Sequence, residues 1–469
     1  MEATSMGVLS ILPPLIAIIL AFWTRDTIFS LGTAIFIGVL ISGQGLMGFP
    51  NLLKNALGNT GFSWILLLEL FIGVLIAFFQ RTGAINSFTD YIEEKNFGRK
   101  QVQLTAWVMG MFVFFSDYFS PIFVGSTMRN LSDDAKVSRE KLAYICDSTS
   151  APVSVLVPIT GWGVFLASLL VGFGPIETEA QALKVFTQAI PFNFYAIIAV
   201  LLVGGFASGI IPEFGPMKKA EERAMNEGKV LADNARPLMS EELTEIEPFY
   251  KDKNLSIFLN FILPVLVVIS IALGSFIMIN SAKTMEAFLA AAVLLGIIMK
   301  LQGMPLSDIM ETAMTGIKGV MPAVMILAFA YAINDLSLAM GTADFILSIT
   351  ESWITPKLLP LIIFFSAGVI AFSTGTSWGT FGIMMPIAVP IAFSLSGGVV
   401  NPMVLATISA VAGGGVFGDH CSPLSDTTIL SSMGAASDHI DHVKTQIPYA
   451  LTAAGLAMVI YIGTGFIGG

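Results

Sequence analysis

Eight stretches of this chain stay apolar for long enough to cross a bilayer, and they constrain its fold more than any motif does. They lie near residues 7–23, 28–48, 64–80, 190–211, 255–279, 283–301, 316–334 and 447–467. A spanning helix needs roughly 17–25 such residues, because it rises about 1.5 Å per residue through about 30 Å of hydrocarbon. No water reaches that layer, so every backbone N–H and C=O must be paired within the protein, which leaves only helices or closed barrels. Barrel strands are about 9–11 residues long, far shorter than these runs. The composition agrees: 12% of residues are charged and 55% hydrophobic, where soluble domains are about a quarter charged. The fold class expected is an all-α polytopic membrane protein. The first run, 7–23, follows a segment without basic residues and reads as a retained span, not a cleaved signal.

Four further apolar segments, 102–128, 141–172, 357–396 and 402–433, are interrupted by polar residues. The hydrophilic stretch 213–254 divides the chain into halves, 1–212 and 255–469, and reads as a cytoplasmic linker. Lys and Arg favour the cytoplasmic side. Arg81, Lys95, Arg99 and Lys100 precede segment 102–128, and Arg129, Lys136, Arg139 and Lys141 follow it. With both clusters on one side, 102–128 enters and leaves by the same face as a re-entrant hairpin whose tip is 116–121. Segment 357–396 has only Lys357 at one end and the uncharged loop 397–401 at the other, which predicts a hairpin entering from outside. Segments 141–172 and 402–433 read as broken helices. The total is about ten transmembrane helices plus two re-entrant hairpins and two broken helices. An odd number of crossings per half makes the halves inverted repeats, a plan shared by many secondary transporters. Tip 116–121 then corresponds to 373–380, and break 146–152 to 418–423.

A charged side chain at membrane depth costs about 2.5–3.5 kcal/mol on insertion scales, so it persists where it faces a cavity or a partner. The breaks hold Asp117, Asp147, Asp419 and Asp426, with His420 and many hydroxyls, and no Lys or Arg. Sodium is a hard cation that takes oxygen ligands, and unwound backbone frees carbonyls to supply them. A carboxylate that holds either a proton or a cation couples the two by competition. Candidate ion- and proton-binding residues are therefore Asp147, Asp419, Asp426, Asp117 and His420. Candidate supporting ligands are Ser116, Ser148, Thr149, Ser150, Ser373, Thr376, Ser377, Ser422, Ser425 and Thr427, with Trp378 as a lid. The plainer alternative makes the aspartates helix caps. Glu69 and Asp335 also fall inside apolar runs.

Other signals carry less. The GxGxxG at 43–48 has no strand–helix context. The segment 438–442 resembles a metal cluster but falls in an expected cytoplasmic loop. Cys146 and Cys421 offer no disulfide framework. No Walker A lysine motif is present, so an ATP-driven pump is unsupported, and no cofactor, nucleic acid or enzymatic role is expected.

The runs 374–380 and 418–428, with 139–144 leading into Asp147, Ser148 and Thr149, resemble the NhaC-type sodium/proton antiporter family. The resemblance implies inverted repeats, two re-entrant hairpins and exchange of Na+ for H+ by an elevator-type motion in the cytoplasmic (inner) membrane. Relatives of that kind also include a malate/lactate exchanger and amino-acid carriers, methionine carriers among them. The first tip offers only Asp117, preceded by Ser116, where some sodium/proton members show paired acids. A sodium- or proton-coupled carrier of an amino acid or a carboxylate therefore stays open as the alternative, as does assembly as a homodimer.

Overall fold

The structure is a computed structural model that describes residues 6–24, 26–83, 97–114, 116–158, 160–238, 246–249, 256–279, 283–350 and 355–468. Lys95 and parts of the linker, 239–245 and 250–255, lie outside the described residues. The described chain is helical, with one isolated β-bridge between Pro237 and Asp438.

In the first half, a 3-10 turn (Gly7–Ile11) leads into α1 (Leu12–Thr24), α2 (Thr27–Ile41), α3 (Gly48–Gly58) and α4 (Thr60–Thr82). The first hairpin is α5 (Arg99–Phe112) and α6 (Phe119–Asp134). The first broken helix is α7 (Arg139–Ser148), the short α8 (Ala151–Ser154) and α9 (Gly161–Ser168). Next come α10 (Glu179–Ala189) and α11 (Phe194–Ala207), bent by 50° at their junction, and then α12 (Gly215–Glu227) within the linker. In the second half, a π-helical turn (Phe258–Ile262) opens α13 (Leu263–Ile279), followed by α14 (Thr284–Leu301), α15 (Leu306–Met340) and α16 (Thr342–Thr350). The second hairpin is α17 (Leu359–Thr374) and α18 (Ser377–Leu395). The second broken helix is α19 (Pro402–Cys421) and α20 (Asp426–Gly434), and α21 (His439–Gly468) ends the chain. Among the described residues, eight helices are long and apolar enough to span a membrane, or nine with the bent pair.

Polar residues set where these helices start. Asp26, Ser138, Thr160, Asn401 and Ser425 each accept a hydrogen bond from a first-turn amide of α2, α7, α9, α19 and α20, satisfying donors that have no partner within the helix. Gly341 and Gly375 end α15 and α17 at φ +74° and +71°, a left-handed conformation that favours glycine.

Linker contacts place both ends of the first hairpin on one face. Glu221 of α12 pairs with Arg99 at the start of α5 and accepts from the Ser138 amide at 2.8 Å. Arg223 bridges Glu140 at 2.9 Å, and the fully buried Lys141 meets Glu213 at 2.6 Å. Arg99 also donates to the Lys136 carbonyl. The linker thus holds a helix whose Glu221 pairs with Arg99, and a preceding acid, Glu213, that pairs with Lys141, one basic residue on each side of the hairpin. At 14 residues, α5 is only about 21 Å long, short of the hydrocarbon thickness.

The second hairpin enters from the opposite end. A Cβ on Gly418 would lie 2.1 Å from the Gly368 carbonyl oxygen, and one on Gly414 would lie 2.4 Å from that of Phe364. α17 and α19 therefore run side by side in the same direction with backbones touching, the close approach that small residues allow in membranes. Ser409 of α19 bonds the Ala189 carbonyl, and Gly413 packs on Asn193. From Asn193, α11 runs back to the linker end, where Gly209 meets Lys100. The two hairpins and the two broken helices thus approach the middle from opposite ends. Two large apolar clusters flank this junction, one built largely on α2, α4, α14 and α15 and the other on α9–α11, α17–α19 and α21.

Candidate transport site

The last turns of α7 and α19 are joined by a bond between Ser148 and His420, and each carries an aspartate followed by a polar residue. Asp147 is completely buried, and its Oδ2 accepts a 2.6 Å hydrogen bond from Gln446 Nε2. Asp419 is also completely buried, and its Oδ2 accepts from Ser377 Oγ at 2.9 Å. Between them, His420 is bonded through Nε2 to Ser148 Oγ at 3.0 Å and through Nδ1 to Tyr195 Oη at 2.7 Å. Gln446 also donates to the His420 carbonyl, so one amide ties the two breaks together. The other oxygens, Asp147 Oδ1 and Asp419 Oδ1, are buried without a hydrogen-bond partner among the described residues. An ionised carboxylate left so is costly, and such groups recruit a counter-charge or a proton.

The other two acids belong to the tips. Asp426 opens α20; its Oδ2 accepts from Tyr118 Oη at 2.8 Å and its Oδ1 from the Thr427 amide at 2.8 Å. Asp117 is buried in the first tip, with Oδ2 unpartnered among the described residues. Tyr118 thus ties the first tip to the second broken helix.

The predicted hydroxyls fall into two groups. Ser148 and Ser377 touch His420 and Asp419 directly. The rest mainly hold backbone: Ser116 accepts from the Phe119 amide, Thr149 donates to the Ile145 carbonyl and Ser150 to that of Asp147. Ser422 donates to the Phe372 carbonyl, while Thr376 and Ser425 cap α18 and α20. Thr427 bonds Ser425, and Ser373 lies half-buried in the last turn of α17. Trp378 packs on Trp162 and Phe165 at 5.3 and 4.8 Å between ring centroids.

Of segment 438–442, expected in a loop, residues 439–442 instead begin α21, and the segment is largely buried. His442 Nε2 bonds Gln446 Oε1 at 2.7 Å, and its Nδ1 shares Ser432 Oγ with His439. These side chains orient Asp147, and sequence reasoning passed over Gln446 altogether. Their spacing, 439, 442 and 446, places them on one helical face, a signal that the expectation of a loop concealed. Among the described residues, no group of three or more His, Cys, Asp or Glu forms a metal-binding cluster.

A cavity of about 220 Å³ adjoins the acids. Tyr331 and Asn334 of α15 form one wall, Tyr118 and Asp426 another, and residues 374–376 with Trp378 the third. Asn334 and Tyr331 were not anticipated, because they sit within a long apolar run.

Opposed broken helices meeting at buried carboxylates define a polytopic membrane transporter. The profile of the Na+/H+ antiporter family matches residues 172–466. An uncharacterized protein of Haemophilus influenzae is 34% identical over 98% of this chain and 92% of its own length. An uncharacterized Na(+)/H(+) antiporter of the same organism is 29% identical over 34% of this chain and 33% of its own. A malate-2H(+)/Na(+)-lactate antiporter of Bacillus subtilis is 29% identical over 38% of this chain and 36% of its own. The chain belongs to the Na+/H+ antiporter family, whose members are secondary transporters.

Proposed function

We propose that this protein exchanges sodium ions for protons across the cytoplasmic membrane at the junction of α7 and α19. The observation that carries the reading is the pair of buried oxygens, Asp147 Oδ1 and Asp419 Oδ1, without hydrogen-bond partners among the described residues where two helices break. Each suits one bare cation or one proton. Sodium there would be cargo, held by carboxylates together with hydroxyl and carbonyl oxygens. Asp426 and Asp117 extend the same acidic region into the tips, and His420 holds the two breaks in register. The names of the two antiporter relatives mention sodium together with protons, in line with this coupling. Opposed hairpins meeting at one junction suit an elevator-type motion, in which the tips and broken helices travel together past α4 and α15.

The test is sodium-triggered collapse of a preset proton gradient in proteoliposomes, read with a pH-sensitive dye. Wild-type protein should respond to sodium alone. Asp419→Asn should lose the response while keeping its elution profile and melting temperature. If sodium and protons compete for the same carboxylates, lowering the pH should raise the KM for sodium with little change in maximal rate. Full activity in Asp419→Asn would move the site elsewhere, with Glu69 of α4, completely buried and with both oxygens unpartnered among the described residues, as the next candidate.

A further inference from the structure

We propose that His439 is a proton-binding residue, loaded from a second cavity on the linker face and linked through Ser432 and His442 to the side of Asp147. The inference deepens the reading of the junction as a sodium/proton exchange site, on which its role in transport rests, by naming where a proton enters. The chain has three histidines, His420, His439 and His442, and all three are buried.

The count of donors is the first argument. His439 Nε2 lies 2.9 Å from the Pro423 carbonyl oxygen, which can only accept, so this nitrogen carries a hydrogen. Gln446 Nε2 donates to Asp147 and to the His420 carbonyl. Its Oε1 therefore faces His442, and His442 Nε2 carries a hydrogen as well. In neutral rings both Nδ1 atoms are then acceptors. Both point at Ser432 Oγ, at 3.0 Å from His439 and 2.8 Å from His442, and the Thr428 carbonyl is a further acceptor at 2.8 Å. One hydroxyl hydrogen thus faces three acceptors, and a buried acceptor left without a donor is costly. A single proton added at His439 Nδ1 resolves the count. Nδ1–H then donates to Ser432 Oγ, and the hydroxyl hydrogen turns to His442 Nδ1.

Charge is the second argument. Burial disfavours an imidazolium unless a negative group is close. Asp438, the preceding residue, is itself buried, and its charge acts on the His439 ring. Its oxygens accept from the backbone amides of Arg236 and Asp441 at 2.7 and 2.9 Å, while the Arg236 guanidinium turns to Asp26 at 3.2 Å. Amides, not a cationic side chain, hold Asp438, which leaves it as the counter-charge for His439. Across the cavity α15 presents Pro322 and Ile326, both apolar.

Access is the third. The cavity beside His439 measures about 150 Å³ and is walled by Asp26, Thr27, Arg236 and Asp438. A water takes about 30 Å³ of liquid, so this polar space has room for several. On the inner side, His442 Nε2 is 3.9 Å from Asp147 Oδ2. When Ser432 Oγ takes the hydrogen of His439 Nδ1 and passes its own to His442 Nδ1, one proton moves inward and Ser432 is unchanged. Imidazole suits such a station because it ordinarily titrates near pH 6.5.

The first test is nuclear magnetic resonance of the full chain with isotope-labelled histidine, the three rings being assigned by replacing them one at a time. Between about pH 5 and 8, the His439 ring should pass from one protonated nitrogen to two. Three rings that each keep one protonated nitrogen, or titration of His420 or His442 in place of His439, would overturn the proposal. This readout needs no transport and no folded His439 variant. The second test is the initial uptake of radiolabelled sodium down its gradient into proteoliposomes, with equal pH on both sides. His439→Ala should lower this rate by at least about tenfold. Imidazole at equal concentration on both sides should restore it, whereas pyrazole, alike in shape but a far weaker base, should not. Wild-type uptake in His439→Ala, or equal recovery with both compounds, would overturn the role in proton delivery. A titrating His439 in protein that takes up no sodium would leave the proton site standing and overturn the exchange reading.

Discussion

At the residue scale, the site depends on polar side chains that do not ionise as much as on those that do. Gln446 spends one amide group on three partners: Asp147, the His420 carbonyl and His442. Replacing it with Leu removes these bonds and leaves His442 Nε2 and Asp147 Oδ2 buried without them. A buried polar group left unsatisfied costs about 1–3 kcal/mol. Gln446→Leu should therefore lower the melting temperature and reduce the initial rate of sodium-driven proton flux by about tenfold or more. Wild-type rate and melting temperature together would show that Gln446 does not organise the breaks. The four aspartates were legible in the sequence because charge is rare in apolar runs. Gln446, Asn334 and Tyr118 were not, since an uncharged polar side chain in a helix carries little signal until its neighbours are known.

At the scale of elements, the decisive contacts are glycine crossings. A Cβ on Gly316 of α15 would fall 2.3 Å from the Gly73 carbonyl oxygen of α4, and one on Gly73 would fall 2.5 Å from that of Gly316. Both obstacles are backbone, which cannot swing aside as a side chain tip can. Gly316→Ala should cost about 1–3 kcal/mol as overpacking, measured as a lower melting temperature in detergent; an unchanged value would mean the two helices separate readily. The hairpins and broken helices follow from sequence reasoning because proline, small hydroxyl residues and basic flanks mark them. Their lengths follow less well. The run at 316–334 extends to a helix of 35 residues, Leu306–Met340, since Ser307, Asp308, Glu311 and Thr312 before it and Asp335 and Ser337 after it continue the helix beyond the apolar stretch. Residues 439–442 of the metal-like segment belong to α21 for the same reason: hydrophilic residues in a helix register look like a loop when only hydropathy is read.

Across the whole molecule, an elevator reading requires the first hairpin to move against the α14–α15 side. Phe119 of α6 and Phe288 of α14 pack edge to face at 5.0 Å between ring centroids, across that boundary and two residues beyond Asp117 in the first tip. A Phe119→Cys, Phe288→Cys pair joined by a thiol-reactive cross-linker should block exchange, and a cleavable linker should restore it on reduction. Undiminished exchange in fully cross-linked protein would argue that this boundary does not slide. Phe119 and Phe288 are as buried as Cys146 and Cys421, so the pair is made in a Cys146→Ser, Cys421→Ser background and the linker is small and membrane-permeant.

By itself the sequence determined that this chain is an all-helical membrane protein with two polar tips and two broken helices, because hydrocarbon admits so few backbone solutions and tolerates so few charges. It also marked 213–254 as a stretch too hydrophilic to stay in lipid. Only the tertiary structure decided that the last turns of α7 and α19 join through Ser148 and His420, that Tyr118 reaches Asp426, and that Asn334 and Trp378 share a cavity with it. These are contacts between residues hundreds of positions apart, and they depend on how closely glycine-bearing helices approach, a distance set by packing and not by composition.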